Sequence, residues 1–251
     1  QSSSIITEMF DMNSLTWSGA KKNVEFCQLM GPHGAKITHP ERIDNLSVVW
    51  NKLYKKNKVI REEFVDTKLI GTEDFLFNVY AFYYADVITF IPEVLYHYRY
   101  GNPHSLTRGY PKDFKRKWVN LFERVSNFVE QCALDDDFRA ALRNRICLSY
   151  IGLSMRVISA SDLTEKEKKK ELQAIRELST YNRAFSGWKL QQFPIHWQVY
   201  FFFVKYHLYL LLYYLCRIMY TMRCKRMMVV TKRSTQLLIL FTMPRGRCGD
   251  T

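Results

Sequence analysis

Two adjacent carboxylates, Glu73 and Asp74, are the side chains in this sequence whose types and spacing best suit proton-transfer chemistry. They follow Gly71 and Thr72, and Thr72 is a suitable helix N-cap whose first turn would then hold two acids that complement the helix dipole. A carboxylate fixed at a helix start can act as a general base toward a hydroxyl group. The same pair is also explained as ordinary helix-start residues, which is the commoner role of such acids.

The neighbouring segments predict the elements that would position this pair. Phe75, Val79 and Phe82 fall on one helical face, so the spacing predicts a helix that begins at residue 73. Residues 47–55 are rich in β-branched and aromatic side chains and predict a strand or strand end. Residues 87–91 and 94–100 predict two further β runs. We therefore expect residues 47–100 to form a small α/β unit in which Asp74 opens a helix and faces a cleft.

Four short motifs follow one another in this region. They are W-N-K-L-Y at 50–54, G-T-E-D-F-L-F at 71–77, L-Y-H-Y-R at 95–99 and S-L-T-R at 105–108. In this order they resemble the acceptor-side half of the family-2 glycosyltransferases, the bacterial enzymes that build capsular polysaccharides and exopolysaccharides. The resemblance covers about residues 47–108 and implies a GT-A fold. The expected fold class is therefore α/β, the C-terminal part of a GT-A (Rossmann-like) domain followed by a mostly α-helical extension.

The resemblance also implies roles for individual residues. It implies that Asp74 is the base that takes the proton of the acceptor hydroxyl during transfer with inversion, and that Glu73 assists or binds the acceptor. Trp50 would pack under a sugar ring, although a place in the core explains it equally well. Lys52 and Arg99 would face phosphate on the acceptor side, or would be structural.

The donor-binding half of such an enzyme is not found in this sequence. The nearest candidate for its D-x-D metal motif is residues 11–13, which lack a preceding apolar strand. The resemblance implies a nucleotide-sugar donor, a glycan or lipid-linked acceptor, and Mg or Mn in the complete enzyme, with the metal ligands not found in this chain. We therefore expect the 251-residue chain alone to transfer little or no sugar.

Amphipathic patterns predict a helical region over residues 109–193, after the partial GT-A unit at 1–108. Apolar side chains recur at intervals of three and four residues from Trp118 to Cys132. Three acids at 135–137 predict the start of a second helix. A capping box formed by Thr164 and Glu167 predicts a third, which extends to about Thr180.

The positive charge of the chain is concentrated at its C-terminal end. The formal net charge is +13, and residues 194–251 hold nine Lys or Arg and one acid, Asp250. This charge adjoins the most apolar stretch, residues 199–216, so it favours an anionic membrane surface over nucleic acid. Lys205 would be costly inside a spanning helix. We therefore predict one membrane-associated helix over 194–226, with 197–226 as its continuous part, and a basic tail at 227–251 that can be disordered.

Several alternatives are open from the sequence alone. The apolar stretch can instead be a buried core helix or a true span. The preferred location is cytoplasmic, peripheral to the inner face of the cell membrane. A non-catalytic membrane-associated helical protein, with Glu73 and Asp74 as a helix cap only, is the alternative function. A nucleic-acid binder that uses the basic tail is a second rival, and it predicts a steep salt dependence of binding.

Overall fold

A computed structural model describes residues 16–32, 37–55, 64–97, 110–111, 113–229 and 235–242. Most of these residues are helical, and the strands form one small sheet. In chain order the elements are β1 (Thr16–Ser18), α1 (Gly19–Met30), a 3-10 turn (Pro40–Arg42), β2 (Lys52–Tyr54), α2 (Glu73–Tyr84), β3 (Val87–His97), α3 (Phe114–Gln131), α4 (Asp136–Ser159), α5 (Glu165–Arg176), α6 (Ser179–Phe185), α7 (Ile195–Lys205), α8 (Tyr209–Val229) and β4 (Thr235–Thr242). The fold is thus mainly helical rather than an evenly mixed α/β structure.

The sheet has the strand order β1-β3-β4-β2. Strand β3 is antiparallel to both β1 and β4, whereas β4 is parallel to β2. The two runs predicted at 87–91 and 94–100 are one strand as far as His97. Register shifts occur on either side of Val94, close to Pro92, whose nitrogen cannot donate to a ladder. The strand therefore passes the proline through an irregularity instead of ending there.

The C-terminal segment differs from the expected tail. Helix α8 continues to Val229, and residues 235–242 form β4 between β3 and β2. The sequence of this strand is T-Q-L-L-I-L-F-T, a short apolar run of the kind that suits a strand with neighbours on both sides. The sequence predicted a basic tail over residues 227–251, but residues 235–242 of that segment form an inner strand of the sheet.

Helix α4 lies at the centre of the helical region, in contact with α1, α3, α5, α6 and α8. Its predicted start is confirmed, because Asp135 caps it and accepts hydrogen bonds from the backbone N–H groups of Asp137 and Phe138. The capping box of Thr164 and Glu167 is also confirmed at the start of α5. That helix ends at Arg176, short of the predicted end, and α6 follows it.

The helix predicted over 197–226 is two helices, α7 and α8, with a break at residues 206–208. His207 adopts the left-handed conformation, with φ of 60°. The N–H of Leu208 donates to the carbonyl of Phe203 at 2.9 Å, and the N–H of Tyr206 donates to that of Phe202 at 3.0 Å. Hydrogen bonds back to the last turn, together with a left-handed residue, are the usual way in which a helix ends.

Each of these two helices buries one face. The inner residues are Trp197, Tyr200, Phe201 and Val204 in α7, and Leu212, Tyr213 and Cys216 in α8. The buried-core alternative is therefore correct for one side of the segment. Lys205, expected to oppose membrane insertion, donates from Nζ to the carbonyl of Trp188 at 2.8 Å. Across the parts of the chain that the structure describes, we find no helix with the length and apolar character needed to cross a bilayer.

Candidate functional site

Asp74 lies in the first turn of α2, where the sequence predicted it. Thr72 occupies the N-cap position with extended backbone but makes no side-chain capping hydrogen bond, and three apolar side chains anchor the helix to the core. Those three, Phe75, Val79 and Phe82, are all buried as their spacing predicted. The start of α2 is therefore held in place by its apolar face, and Asp74 is positioned by that packing.

The carboxyl group of Asp74 contacts the segment that contains the W-N-K-L-Y motif. Its Oδ2 accepts a hydrogen bond from the backbone N–H of Val49 at 3.2 Å. Partial burial raises the pKa of Asp74 above its ordinary value. The Val49 hydrogen bond and the positive charge of Lys52 oppose that rise, and the charge of Glu73 adds to it. The carboxyl is thus oriented by one neighbour and easier to protonate than a free aspartate.

Asn78, one turn later in α2, fastens the same segment. Its Nδ2 donates to the carbonyls of Ser47, at 2.7 Å, and Asp74, at 2.8 Å. Its Oδ1 accepts from the Tyr54 hydroxyl at 2.9 Å. Burial and the nearby charge of Asp74 raise the pKa of Tyr54. Residues 47–54 are consequently attached to α2 at both ends.

Lys52 is almost completely buried, with 5% of its surface exposed. Its Nζ donates to Oδ1 of Asn51 at 2.9 Å and to the carbonyl of Val48. Burial lowers the pKa of Lys52 to about 7, and the negative charge of Asp74 opposes this lowering. The described contacts of this ammonium are internal to the protein, and its assignment to acceptor binding stays a prediction.

The other predicted site residues are distributed unevenly. Glu73 is adjacent to Asp74 and partly exposed, and Trp50 is partly buried in the turn that leads into β2, next to Val49. The structure thus brings Glu73, Asp74, Trp50 and Lys52 to the junction of α2 and residues 47–54. Arg99 lies outside the described residues. That Asp74 faces a cleft stays a prediction.

Arg145, in the middle of α4, is a component of this region that the sequence did not indicate. Its side chain is 1% exposed and donates to the carbonyl of Ile43 at 2.7 Å, to Oδ1 of Asp44 at 2.5 Å and to Oγ of Ser47 at 3.0 Å. Its guanidinium also lies 4.1 Å from the ring centroid of Phe75. One arginine therefore connects the helical region with the segment that contacts Asp74.

Aromatic rings border the site on the side of Tyr54. The ring of Phe77 packs against Tyr54 edge to face, with centroids 5.2 Å apart, and stacks on Phe64 at 4.0 Å. Phe64 is half exposed. On the other side Gly71 approaches Trp118 closely, because a Cβ atom at residue 71 would lie 2.9 Å from the indole ring. Gly71 is therefore required by packing immediately before the helix start.

The described residues do not supply a site for the divalent metal that the family resemblance implies. Across the described ranges, we find no group of three or more His, Cys, Asp or Glu side chains placed to hold a metal ion.

Comparisons of the chain with protein-family models, with curated proteins and with solved structures each gave no match. The four motifs and the geometry around Asp74 are therefore the features that bear on function.

Proposed function

We propose that this protein is a family-2-like glycosyltransferase with a GT-A fold, of which residues 1–108 form part of the acceptor side. It transfers a sugar from a nucleotide-sugar donor to a glycan or lipid-linked acceptor in surface polysaccharide synthesis. The observation that carries the proposal is the environment of Asp74. This carboxyl opens α2, has a raised pKa, and is oriented by an N–H from the W-N-K-L-Y segment.

In the proposed reaction the acceptor hydroxyl oxygen attacks the anomeric carbon of the donor in line with the bond to phosphate. That bond breaks, and the nucleoside diphosphate leaves with the electron pair. Asp74 takes the hydroxyl proton. Because the hydroxyl oxygen enters on the face opposite the leaving phosphate, the configuration at the anomeric carbon inverts. The hydrogen bond from the N–H of Val49 to Oδ2 restricts the orientation of the Asp74 carboxyl.

The raised pKa of Asp74 supports this role, because a general base is most effective when its pKa lies closer to the working pH. Glu73 contributes through its negative charge, which favours the protonated form of Asp74. The exposed ring of Phe64, stacked on Phe77, offers an apolar surface for a sugar face near the site.

We also propose a cytoplasmic location, peripheral to the inner face of the membrane, where lipid-linked acceptors are within reach. The support is the charge of residues 194–251, which hold nine basic residues and one acid.

The test is a transfer assay with the protein expressed from its complete gene. Radiolabelled UDP-glucose, UDP-galactose, UDP-N-acetylglucosamine and GDP-mannose are each incubated with the enzyme and with membranes as the source of acceptor. We expect label from one donor to enter a glycan product. Asp74→Asn should lower this transfer by about 100-fold or more, because general-base catalysis contributes that much.

Asp86→Asn is the matched control, since Asp86 is an exposed acid immediately after α2 and outside the site. It should transfer sugar at the wild-type rate. Asparagine at residue 74 retains an oxygen that can accept from Val49, so circular dichroism should show an intact fold. Equal transfer by Asp74→Asn and wild type, or no transfer from any donor, would overturn the proposal.

The alternative function, a non-catalytic membrane-associated helical protein, is favoured by a different observation. Helices α7 and α8 expose many large apolar side chains that have no part in the Asp74 site. On that alternative, Asp74 is only the residue that ties the Val49 segment to α2. Asp74→Asn would then change the stability of the protein, and there would be no transfer reaction for it to affect.

A further inference from the structure

Helix α7 carries an apolar stripe on its outward side as well as on its buried side. The outward residues are Ile195, Val199, Phe202 and Tyr206, the last just beyond the helix end, and each is between 42% and 73% exposed. Their spacings of four, three and four residues place them within an arc of about 60° on the helix. An ordinary surface helix would carry polar side chains here.

Helix α8 continues the pattern on its own outward side. The exposed apolar residues are Leu210, Leu211, Tyr214, Ile218 and Met222, each between 47% and 58% exposed. At about 100° per residue they occupy an arc of about 120°, opposite the buried Leu212, Tyr213 and Cys216. The two helices contact each other.

The charged side chains of the two helices themselves are all basic, and an acid beside them is Glu165 of α5, which accepts a hydrogen bond from the hydroxyl of Tyr214 at 3.4 Å. The sequence contains no acidic residue between Glu177 and Asp250. Arg217 lies at the edge of the α8 stripe with about half of its side chain exposed, 3.8 Å from Glu165 of α5. Arg223 is exposed but lies about 100° around the helix from Met222, on the side away from the stripe, and Lys225 and Arg226 follow in the last turns of α8.

We propose that the outward sides of α7 and α8, which we call the α7–α8 surface, dock onto the surface of an anionic phospholipid bilayer. Large exposed apolar side chains beside basic ones are the pattern of a helix that lies in the headgroup region, with its apolar side buried about 5–10 Å deep. A second copy of this chain fits less well, because a symmetric contact would bring like charges together. The proposal deepens the proposed location at the membrane and does not depend on transferase activity.

The test uses the full chain in vesicle co-sedimentation, with phosphatidylcholine vesicles and with vesicles that also contain phosphatidylglycerol. We expect strong binding only to the second kind. The double variant Phe202→Gln, Ile218→Gln removes one outward residue from each helix and should lower the partition coefficient by about tenfold or more. Arg217→Gln should lower it by about fivefold on anionic vesicles.

Point substitutions are preferred to deletion, because deleting residues 197–251 would also remove buried residues of the core and strand β4. The matched control is Val24→Gln, which changes a 58% exposed apolar residue on α1. This variant should bind vesicles as the wild type does. Unfolding midpoints should be equal for all variants, which shows that binding changes do not arise from loss of fold.

Three results would overturn the proposal. The first is wild-type binding by the double variant, and the second is equal binding of the wild type to neutral and anionic vesicles. The third is a concentration-dependent dimer in sedimentation velocity that the double variant abolishes, because the α7–α8 surface would then belong to a second copy. Asp74→Asn should bind vesicles as the wild type does, which separates this test from the transfer assay.

Discussion

The Asp74 region and the α7–α8 region are ordered by different forces. Around Asp74, buried polar groups hold the chain in place, among them Asn78 and Arg145, each with two or more hydrogen-bond partners. In α7 and α8 the inner faces are almost entirely apolar, and equally apolar side chains remain exposed on the outer faces. Around Asp74, the buried polar side chains have hydrogen-bond partners inside the protein. In α7 and α8, the exposed apolar side chains lie outside the core.

This difference predicts where single substitutions should lower the free energy of unfolding most. A polar substitution at a buried, fully partnered position leaves other groups without partners, so its cost is large. Truncation of an apolar side chain in α7 or α8 lowers stability substantially only on the side of the helix that packs against the core. Stability measurements can therefore distinguish residues that stabilise the fold from exposed residues that are available to contact a binding partner.

The largest effect should come from adjacent phenylalanines on opposite sides of α7. Phe201 is fully buried, so Phe201→Ala should lower the free energy of unfolding by about 4 kcal/mol. Phe202 is half exposed, so Phe202→Ala should cost less than about 1 kcal/mol. Urea denaturation measures both. Similar losses at the two positions would contradict the assignment of an inner and an outer face.

Arg145→Ala should lower the free energy of unfolding by about 3 kcal/mol, because it leaves Ile43, Asp44 and Ser47 without their shared donor. Arg139, on the same helix, pairs with acids in a solvent-exposed position. Its replacement by alanine should cost much less, because ion pairs exposed to solvent contribute little to stability. Chemical denaturation of both variants checks the contrast, and a small loss at Arg145 would show that the Asp74 segment is held by other contacts.

Asn78→Ala should cost about 2 kcal/mol, because the carbonyl of Ser47 and the hydroxyl of Tyr54 each lose a hydrogen bond to Asn78. Asn120 donates to the carbonyl of Leu69 in a solvent-exposed bond, so Asn120→Ala should cost about 0.5 kcal/mol. Thermal and urea unfolding provide the measurement. Equal costs at the two asparagines would argue against tight attachment of residues 47–54 to α2.

The smallest effect is a dependence of stability on pH. The pKa of Lys52 is about 7 in the folded protein and near its ordinary value of about 10.5 when unfolded, so the unfolded state binds more protons between these values. Stability should therefore rise with pH, by about 1 kcal/mol from pH 7.5 to 8.5. Lys52→Met should remove this rise, whereas Lys21→Met, on the exposed side of α1, should retain it.

Much of the Asp74 helix was predictable from local signals. The N-cap position of Thr72 and the spacing of Phe75, Val79 and Phe82 depend on neighbours within a few turns, and all of them are observed. The capped starts of α4 and α5 were predictable for the same reason. Local hydrogen bonds and helical periodicity are encoded over short stretches of sequence.

Features that depend on distant partners were not predictable. Arg145 is buried only because it meets Ile43, which lies 102 positions earlier in the chain. The break between α7 and α8 uses a left-handed histidine in place of the usual glycine, so the sequence carries no stop signal there. The membrane pattern of this segment was visible in its composition, but which side of each helix faces outward required the packed structure.

The position of β4 has a consequence for how the protein is made. This strand is the last described element of the chain, yet it lies inside the sheet, where Ile239 pairs with Lys52 and Leu240 pairs with Thr89. On the ribosome, β2 and the inner edge of β3 therefore emerge long before their shared partner. Such edges are prone to pair with other chains during the delay. A stop codon anywhere before Thr235 would remove β4 and leave the edges of β2 and β3 that pair with it permanently unpaired. Strand β2 belongs to residues 47–54, the segment that contacts Asp74.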